Sequence, residues 1–242
     1  PTTHELGYRA VVVLRRSTRL FITLGAVAVL LVVGGIAAAS LLRRGSTAPA
    51  ALFDEPAATA PNTSWQEVTN PATQLAYQVP PDWELADQDE SLTTSNGVRL
   101  GHLADWGTYT CQGAEYGRAF AASGVAPNDR KPGRAAAELA AAVAADQYSD
   151  SHQTAAVQVG KAQPATIDGT QGAIVRAEAT LSKSTDPCAS TRGTVTVVAV
   201  PTAVGNSVLV VAADATPGPQ QPTPLAEPER LDAIVSSLRF TR

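Results

Sequence analysis

The segment Gln171-Gly172-Ala173-Ile174-Val175-Arg176-Ala177-Glu178-Ala179-Thr180-Leu181 alternates along most of its length. Val175, Ala177, Ala179 and Leu181 fall on one side; Arg176, Glu178 and Thr180 fall on the other. Period-two alternation puts successive side chains on opposite faces of a strand. Two further runs follow, Thr194–Val200 and Ser207–Ala213, both β-branched and almost continuously apolar. Runs of that kind read as central strands covered on both faces. Val204-Gly205-Asn206 turns one into the other.

Working outward, Ala155–Val159 is a weaker strand on the N-terminal side. Before it, Gly133–Tyr148 is Ala-rich, and Ala136, Leu139, Ala140 and Val143 repeat at helical spacing. Short strand-like runs lie further upstream at Trp65–Val68, Leu75–Val79, Val98–Leu103, Thr108–Cys111 and Arg118–Ala122. Asn70-Pro71 separates the first two, and Pro80-Pro81-Asp82 breaks the chain before Trp83. At the other end, the Pro-rich loop Thr216–Pro228 leads into a last helix. Its residues Leu231, Ile234, Val235 and Leu238 stand at i, i+3, i+4 and i+7. Many strands with two helices predict an α+β domain over residues 63–242, built on an antiparallel sheet flanked by helices.

The N-terminal 62 residues have a different character. Leu20–Leu42 is uncharged and almost wholly apolar. As a helix of about 35 Å it is long enough to cross a hydrocarbon core of about 30 Å. Arg9, Arg15, Arg16 and Arg19 precede it, and Arg43 and Arg44 follow. That excess of Arg on the N-terminal side places residues 1–19 in the cytoplasm and the C-terminal domain outside, in a single-pass cell-membrane protein. Ala37-Ala38-Ala39 also fits the small-residue pattern of a cleavage site, so a cleaved signal peptide is the competing reading. Gly35 and Ala39 have the spacing of a helix-pairing face, although lipid-facing filler is the simpler reading. Residues 43–62, rich in Ala, Pro and Thr, form a semi-extended linker. The sequence contains no Met, which points to a start upstream of Pro1 or to a removed initiator.

Charge divides along the same line. Six Arg and one acid lie in residues 1–44, while acids outnumber bases in the remainder of a chain whose net charge is −4. An acidic outer domain disfavours binding to nucleic acid. Cys111 and Cys188 are the two cysteines, both on the outer side, where oxidation is possible. They permit one intramolecular disulfide, which on the chain-entropy model is worth roughly 4.5 kcal/mol. Free buried thiols and an interchain bond are the alternatives.

Chemistry is sparse. No nucleophile elbow, phosphate-binding loop or dinucleotide fingerprint is present, and no catalytic residue, metal ligand or cofactor is assigned. A zinc site could recruit His102, Asp105 and His152, but their spacing matches no ligand pattern, and surface or half-buried histidines are the simpler reading. Asp87, Asp89 and Glu90 read as a solvated acidic loop. Trp65, Tyr77, Trp83 and Trp106 read as core, with an exposed binding groove as the alternative.

Leu75-Ala-Tyr-Gln-Val-Pro-Pro-Asp-Trp83 resembles the opening strand of PsbP-like domains. The order of elements, and the paired cysteines behind a single span, are similar to membrane-anchored actinobacterial proteins of that fold. The resemblance implies an α/β/α sandwich over residues 63–242 and a binding or assembly role; it supplies no catalytic residues. Abundant Ala, and 15 Arg beside three Lys, fit a high-GC actinobacterial genome. The leading expectation is therefore a non-enzymatic envelope module. It would be anchored in the bilayer through Leu20–Leu42 and would bind an envelope protein, peptide or glycan. An envelope hydrolase with a dispersed site, and the sensor domain of a signalling protein, are the competing expectations.

Overall fold

The computed structural model describes residues 64–218 and 223–241. The span at Leu20–Leu42, its flanking segments 1–19 and 43–62, and the Gly35/Ala39 and Ala37–Ala39 features lie outside the described residues. Among the described residues no helix is long and apolar enough to cross a membrane.

The chain opens with a hairpin of β1 (Gln66–Asn70) and β2 (Leu75–Val79), then runs through β3 (Glu84–Leu85), β4 (Ser91–Thr93) and β5 (Arg99–Trp106). A small hairpin, β6 (Tyr109–Cys111) and β7 (Ala114–Tyr116), precedes β8 (Ala119–Ala126) and helix α1 (Pro132–Tyr148). Then come β9 (Ala156–Val159), β10 (Gln163–Ile167), β11 (Thr170–Thr180), β12 (Arg192–Thr202) and β13 (Gly205–Asp214). Helix α2 (Pro228–Ser236) and β14 (Arg239–Phe240) close the domain.

The main sheet runs β10-β11-β12-β13-β8-β5-β3, with β4 added to β5 and β9 to β11. Its pairings are antiparallel. A smaller sheet runs β1-β2-β14. The domain is thus sheet-rich α+β, as the sequence predicts. The β6–β7 hairpin is an excursion between two strands, β5 and β8, that pair with each other.

Period-two registry assigns side chains to two layers. Val195 faces Ala212, Val197 faces Val210 and Ala199 faces Val208 across the β12–β13 ladder. These residues pack under Ala136, Leu139, Ala140 and Val143 of α1. The alternate residues Val198, Val200, Leu209 and Val211 turn to the other side. There they meet Leu75, Tyr77 and Val79 of β2 together with Ile234 and Leu238. Alanine dominates the inner face of α1, so the helix comes close to the sheet without a thick layer of side chains.

Several boundaries differ from the sequence reading. The first strand begins at Gln66 and extends to Asn70, whose Nδ2 donates to Ser123 Oγ at 2.9 Å. Five strands rather than four lie between α1 and α2. The missed one, β10, lies on the sheet edge beside β9, where exposure erases the alternation. Gly160 N–H still bonds Arg176 C=O between the two pieces, so β9 and β10 act as one edge interrupted at Lys161. The last helix starts at Pro228, and Leu238 lies beyond its end yet remains buried.

Candidate functional site

Strand β8 and helix α1 converge where the β6–β7 hairpin leaves the sheet, and between them lies a cavity of about 370 Å³. Its floor is the start of β8 and the end of β13. Its walls are the β6–β7 hairpin, the last turn of α1 with the residues after it, and the loop from Leu181 to Ser190.

Arg118 is the floor's largest polar side chain and is 1% exposed. Its Nη1 lies 3.3 Å from Asp214 Oδ2. Its Nε donates to Thr223 C=O at 3.0 Å, and Nη2 donates to the same oxygen. The guanidinium carbon also sits 5.4 Å from the centre of the Tyr109 ring. A buried guanidinium is tolerated when each side of it is engaged in this way. Gly107 makes the room: its φ is +68°, and a Cβ there would lie 2.8 Å from Arg118 Cγ.

Asp214 shares its other oxygen with Tyr148, whose hydroxyl donates to Oδ1 at 3.3 Å. Burial raises the Asp214 carboxyl to about 7, and the charge of Arg118 and the two hydrogen bonds offset only part of that shift. Burial first, and the Asp214 charge second, hold the Tyr148 phenol well above its ordinary value. Gly193 lies under this ring: a Cβ on it would fall 1.8 Å from Tyr148 Cζ.

The hairpin wall is held differently. Cys111 and Cys188 form a disulfide with Cα atoms 5.8 Å apart, joining the hairpin to the 181–190 loop. Gln112 and Gly113 both have positive φ, +50° and +79°, the two-residue turn that a tight right-twisted hairpin needs. Tyr109 and Tyr116 stack across it with ring centres 5.5 Å apart. The Tyr109 hydroxyl donates to Cys188 C=O at 2.6 Å, and that of Tyr116 to Asp186 Oδ2 at 2.8 Å. Partial burial and the adjacent Asp186 raise the Tyr116 phenol. Asp186 Oδ1 in turn accepts Cys188 N–H at 2.8 Å.

Asp150 fastens the same loop to the end of α1. It accepts the Thr185 backbone N–H and hydroxyl through Oδ2, and the His152 and Gln153 N–H groups through Oδ1. Led by the Thr185 N–H, these bonds lower its carboxyl to about 2. They are bonds to the ionised form.

Among the residues singled out from sequence, Cys111 and Cys188 are paired on the cavity rim. Asp105 lines the cavity, whereas His102 sits at a β5 bulge with φ +50°. His152 is exposed beyond α1. Among the described residues, no group of three or more His, Cys, Asp or Glu side chains is gathered for a metal ion. Asp87 and Asp89 are exposed and Glu90 half-buried, between β3 and β4. Tyr77 and Trp83 are core, with Trp65 and Trp106 packed against the same cluster. The aromatics of the cavity are instead Tyr109, Tyr116, Phe120 and Tyr148. Their signal was present in Tyr109-Thr110-Cys111, where alternation puts ring and thiol on one face.

Among the described residues no histidine lines the cavity, and six carboxylates do. Ser151 Oγ and His152 Nδ1 lie 2.8 Å apart and exposed. The Asp150 carboxylate beside that pair accepts the His152 backbone N–H, not a ring N–H as the carboxylate of a catalytic triad does.

Residues 57–242 match the model of a domain of unknown function, DUF8017. The chain belongs to this family. The matched region takes in every strand and helix described above. No curated protein matches the chain.

Proposed function

We propose that this DUF8017 chain is a non-enzymatic, membrane-anchored binding module of the bacterial cell envelope, taking its ligand in the disulfide-rimmed cavity. One observation carries the reading: the cavity of about 370 Å³, within the range of small-molecule sites. Its walls are tied down by the disulfide, the tyrosine bonds and Asp150. Fixing the walls in advance reduces the ordering cost of binding.

The anchor in this reading is Leu20–Leu42, with the N-terminus cytoplasmic and the domain extracytoplasmic. The apolar run and the Arg count around it support that topology. A disulfide is at home in an oxidising compartment, which fits the same orientation. The PsbP-like sandwich and an actinobacterial source complete the proposal. The two faces of the main sheet, one under α1 and one under α2 with the small sheet, are the features that favour that fold.

Thiol labelling of the full chain in intact cells tests the placement. Cys111 and Cys188 are expected to resist a membrane-impermeant maleimide until an external reductant is added. Free thiols reached only after cell lysis would reverse the orientation.

The hydrolase reading rests on the Ser151–His152 contact alone. If it holds, the purified chain hydrolyses p-nitrophenyl esters and Ser151→Ala abolishes the turnover. Hydrolysis no faster than buffer removes it.

A further inference from the structure

We propose that the cavity receives an organic cation, an ammonium or guanidinium group borne by a small ligand or by a peptide side chain. The inference rests on the binding reading above and names the ligand class for the same cavity. Three observations select that class.

The first is the state of the one basic residue. Among the described residues Arg118 is the sole Lys or Arg lining the cavity, and its guanidinium is already engaged by Asp214, the Thr223 carbonyl and the Tyr109 ring. An anion entering the cavity therefore meets a buried, compensated charge rather than an open partner.

The second is the spread of carboxylates. Asp105, Glu115, Asp146, Asp150 and Asp186 come from different elements around the cavity, and the sixth carboxyl, Asp214, is already paired with Arg118. Among the described residues no three of them, or any other such side chains, gather as a metal site. A bare divalent ion needs a convergent shell of six or more oxygens at short range. A larger cation with delocalised or shielded charge is served by carboxylates at several points of a wall.

The third is the wall itself. Tyr116 lines the cavity half-buried, stacked on Tyr109 with its hydroxyl donating to Asp186. Aromatic rings beside carboxylates are the common means of holding organic cations. Phe120, Leu181 and Ala212 contribute apolar surface to the same space. Apolar walls keep water from screening the charges.

Calorimetry on the full chain in neutral-lipid nanodiscs tests this directly. The probes are tetramethylammonium, argininamide and a short Arg-containing peptide, with acetate, phosphate and glucose as the contrasting classes. The cations are expected to bind, and the anions and sugar are not. Tyr116→Leu should weaken cation binding about tenfold. Glu115→Gln, a substitution at a half-buried hairpin position that keeps the shape of the residue, should weaken it about twofold to fivefold. Circular dichroism of both variants separates loss of binding from loss of folding. Tighter binding of the peptide than of argininamide assigns the cation to a peptide; the reverse assigns it to a small ligand. Binding of acetate, phosphate or glucose in preference to the cations, lost in Tyr116→Leu, would overturn the class and leave the binding reading standing. Cation binding untouched by either variant would overturn the placement. No binding by any probe at about 10 mM, weaker than any useful affinity, would overturn this inference and the binding reading together.

Discussion

The middle of the main sheet and the rim of the cavity are built by opposite means. From Gly205 to Ala213 every residue of β13 is buried, and aliphatic side chains fill both faces. The rim formed by the β6–β7 hairpin and the 181–190 loop belongs to neither main core. Its apolar cluster is Tyr109, Cys111 and Cys188 with Tyr116 against it. Covalent and polar ties stand in for the missing core: one disulfide, two tyrosine hydroxyls, and the carboxylates of Asp186 and Asp150. The sheet is thus held by non-directional burial that many sequences can supply, and the rim by directional bonds that fix particular groups in place. That is the division expected when a rigid scaffold carries a site on its loops.

Removing the disulfide is the largest expected blow to the comparison. Cys111→Ser with Cys188→Ser should lower stability by about 4.5 kcal/mol on the chain-entropy model. Urea unfolding reads the total, and hydrogen exchange locates the loss. Exchange should quicken first at 109–116 and 182–190, while β11–β13 stay protected against all but global opening. Equal loosening of β13 would break the distinction.

Next in size is a deletion in the sheet. Leu209 is fully buried on the face under β2 and α2, and Leu209→Ala should cost about 3 kcal/mol. The urea midpoint should fall with the rim opening only in step with the whole domain. Selective opening of the rim would mean that the two regions are coupled more closely than their packing indicates.

Gly193→Ala probes the seam between them. The new Cβ would strike the Tyr148 ring, so the floor must shift, at a cost of about 2 kcal/mol. The Tyr148–Asp214 bond should be lost, and near-ultraviolet dichroism from tyrosine reports the change. An unaltered spectrum with wild-type stability would contradict the placement of that ring.

The smallest effect is a slope with pH. Asp214 is raised to about 7 in the folded protein from an ordinary value of 3.8. Its contribution is therefore complete below about 3.8 and is lost as pH rises through about 7. Between pH 6 and 8 the expected decline is about 1 kcal/mol, within which Asp214→Asn should be flat. A wild-type profile as flat across this window as that of Asp214→Asn would show that Arg118 holds the carboxylate ionised instead.

How legible each region is in the sequence follows from the same contrast. The alternation at Val175–Leu181 and the apolar runs of β12 and β13 identify strands because burial repeats with the period of the backbone. The edge β10 shows no such period, as both its faces meet solvent in part. Its turn does carry a signal: Asp168 and Gly169 have φ of +45° and +83°, the Asp-Gly pairing of a tight hairpin. The cysteine pairing was legible as far as two cysteines leave one intramolecular choice. The floor was not. Arg118 and Asp214 are 96 residues apart, Tyr148 closes α1 and Gly193 opens the β12 ladder, so neither spacing nor composition links them. Side chains joined only by tertiary folding leave no local pattern to read.

Hydrogen-exchange footprinting of the full chain in nanodiscs, with and without argininamide, tests the central claim most directly. Bound cation should slow exchange at 109–118, 146–151 and 182–190 and leave the β9–β10 edge unchanged. Protection confined to the β9–β10 edge or to the small β1–β2–β14 sheet, with none around the cavity, would contradict it.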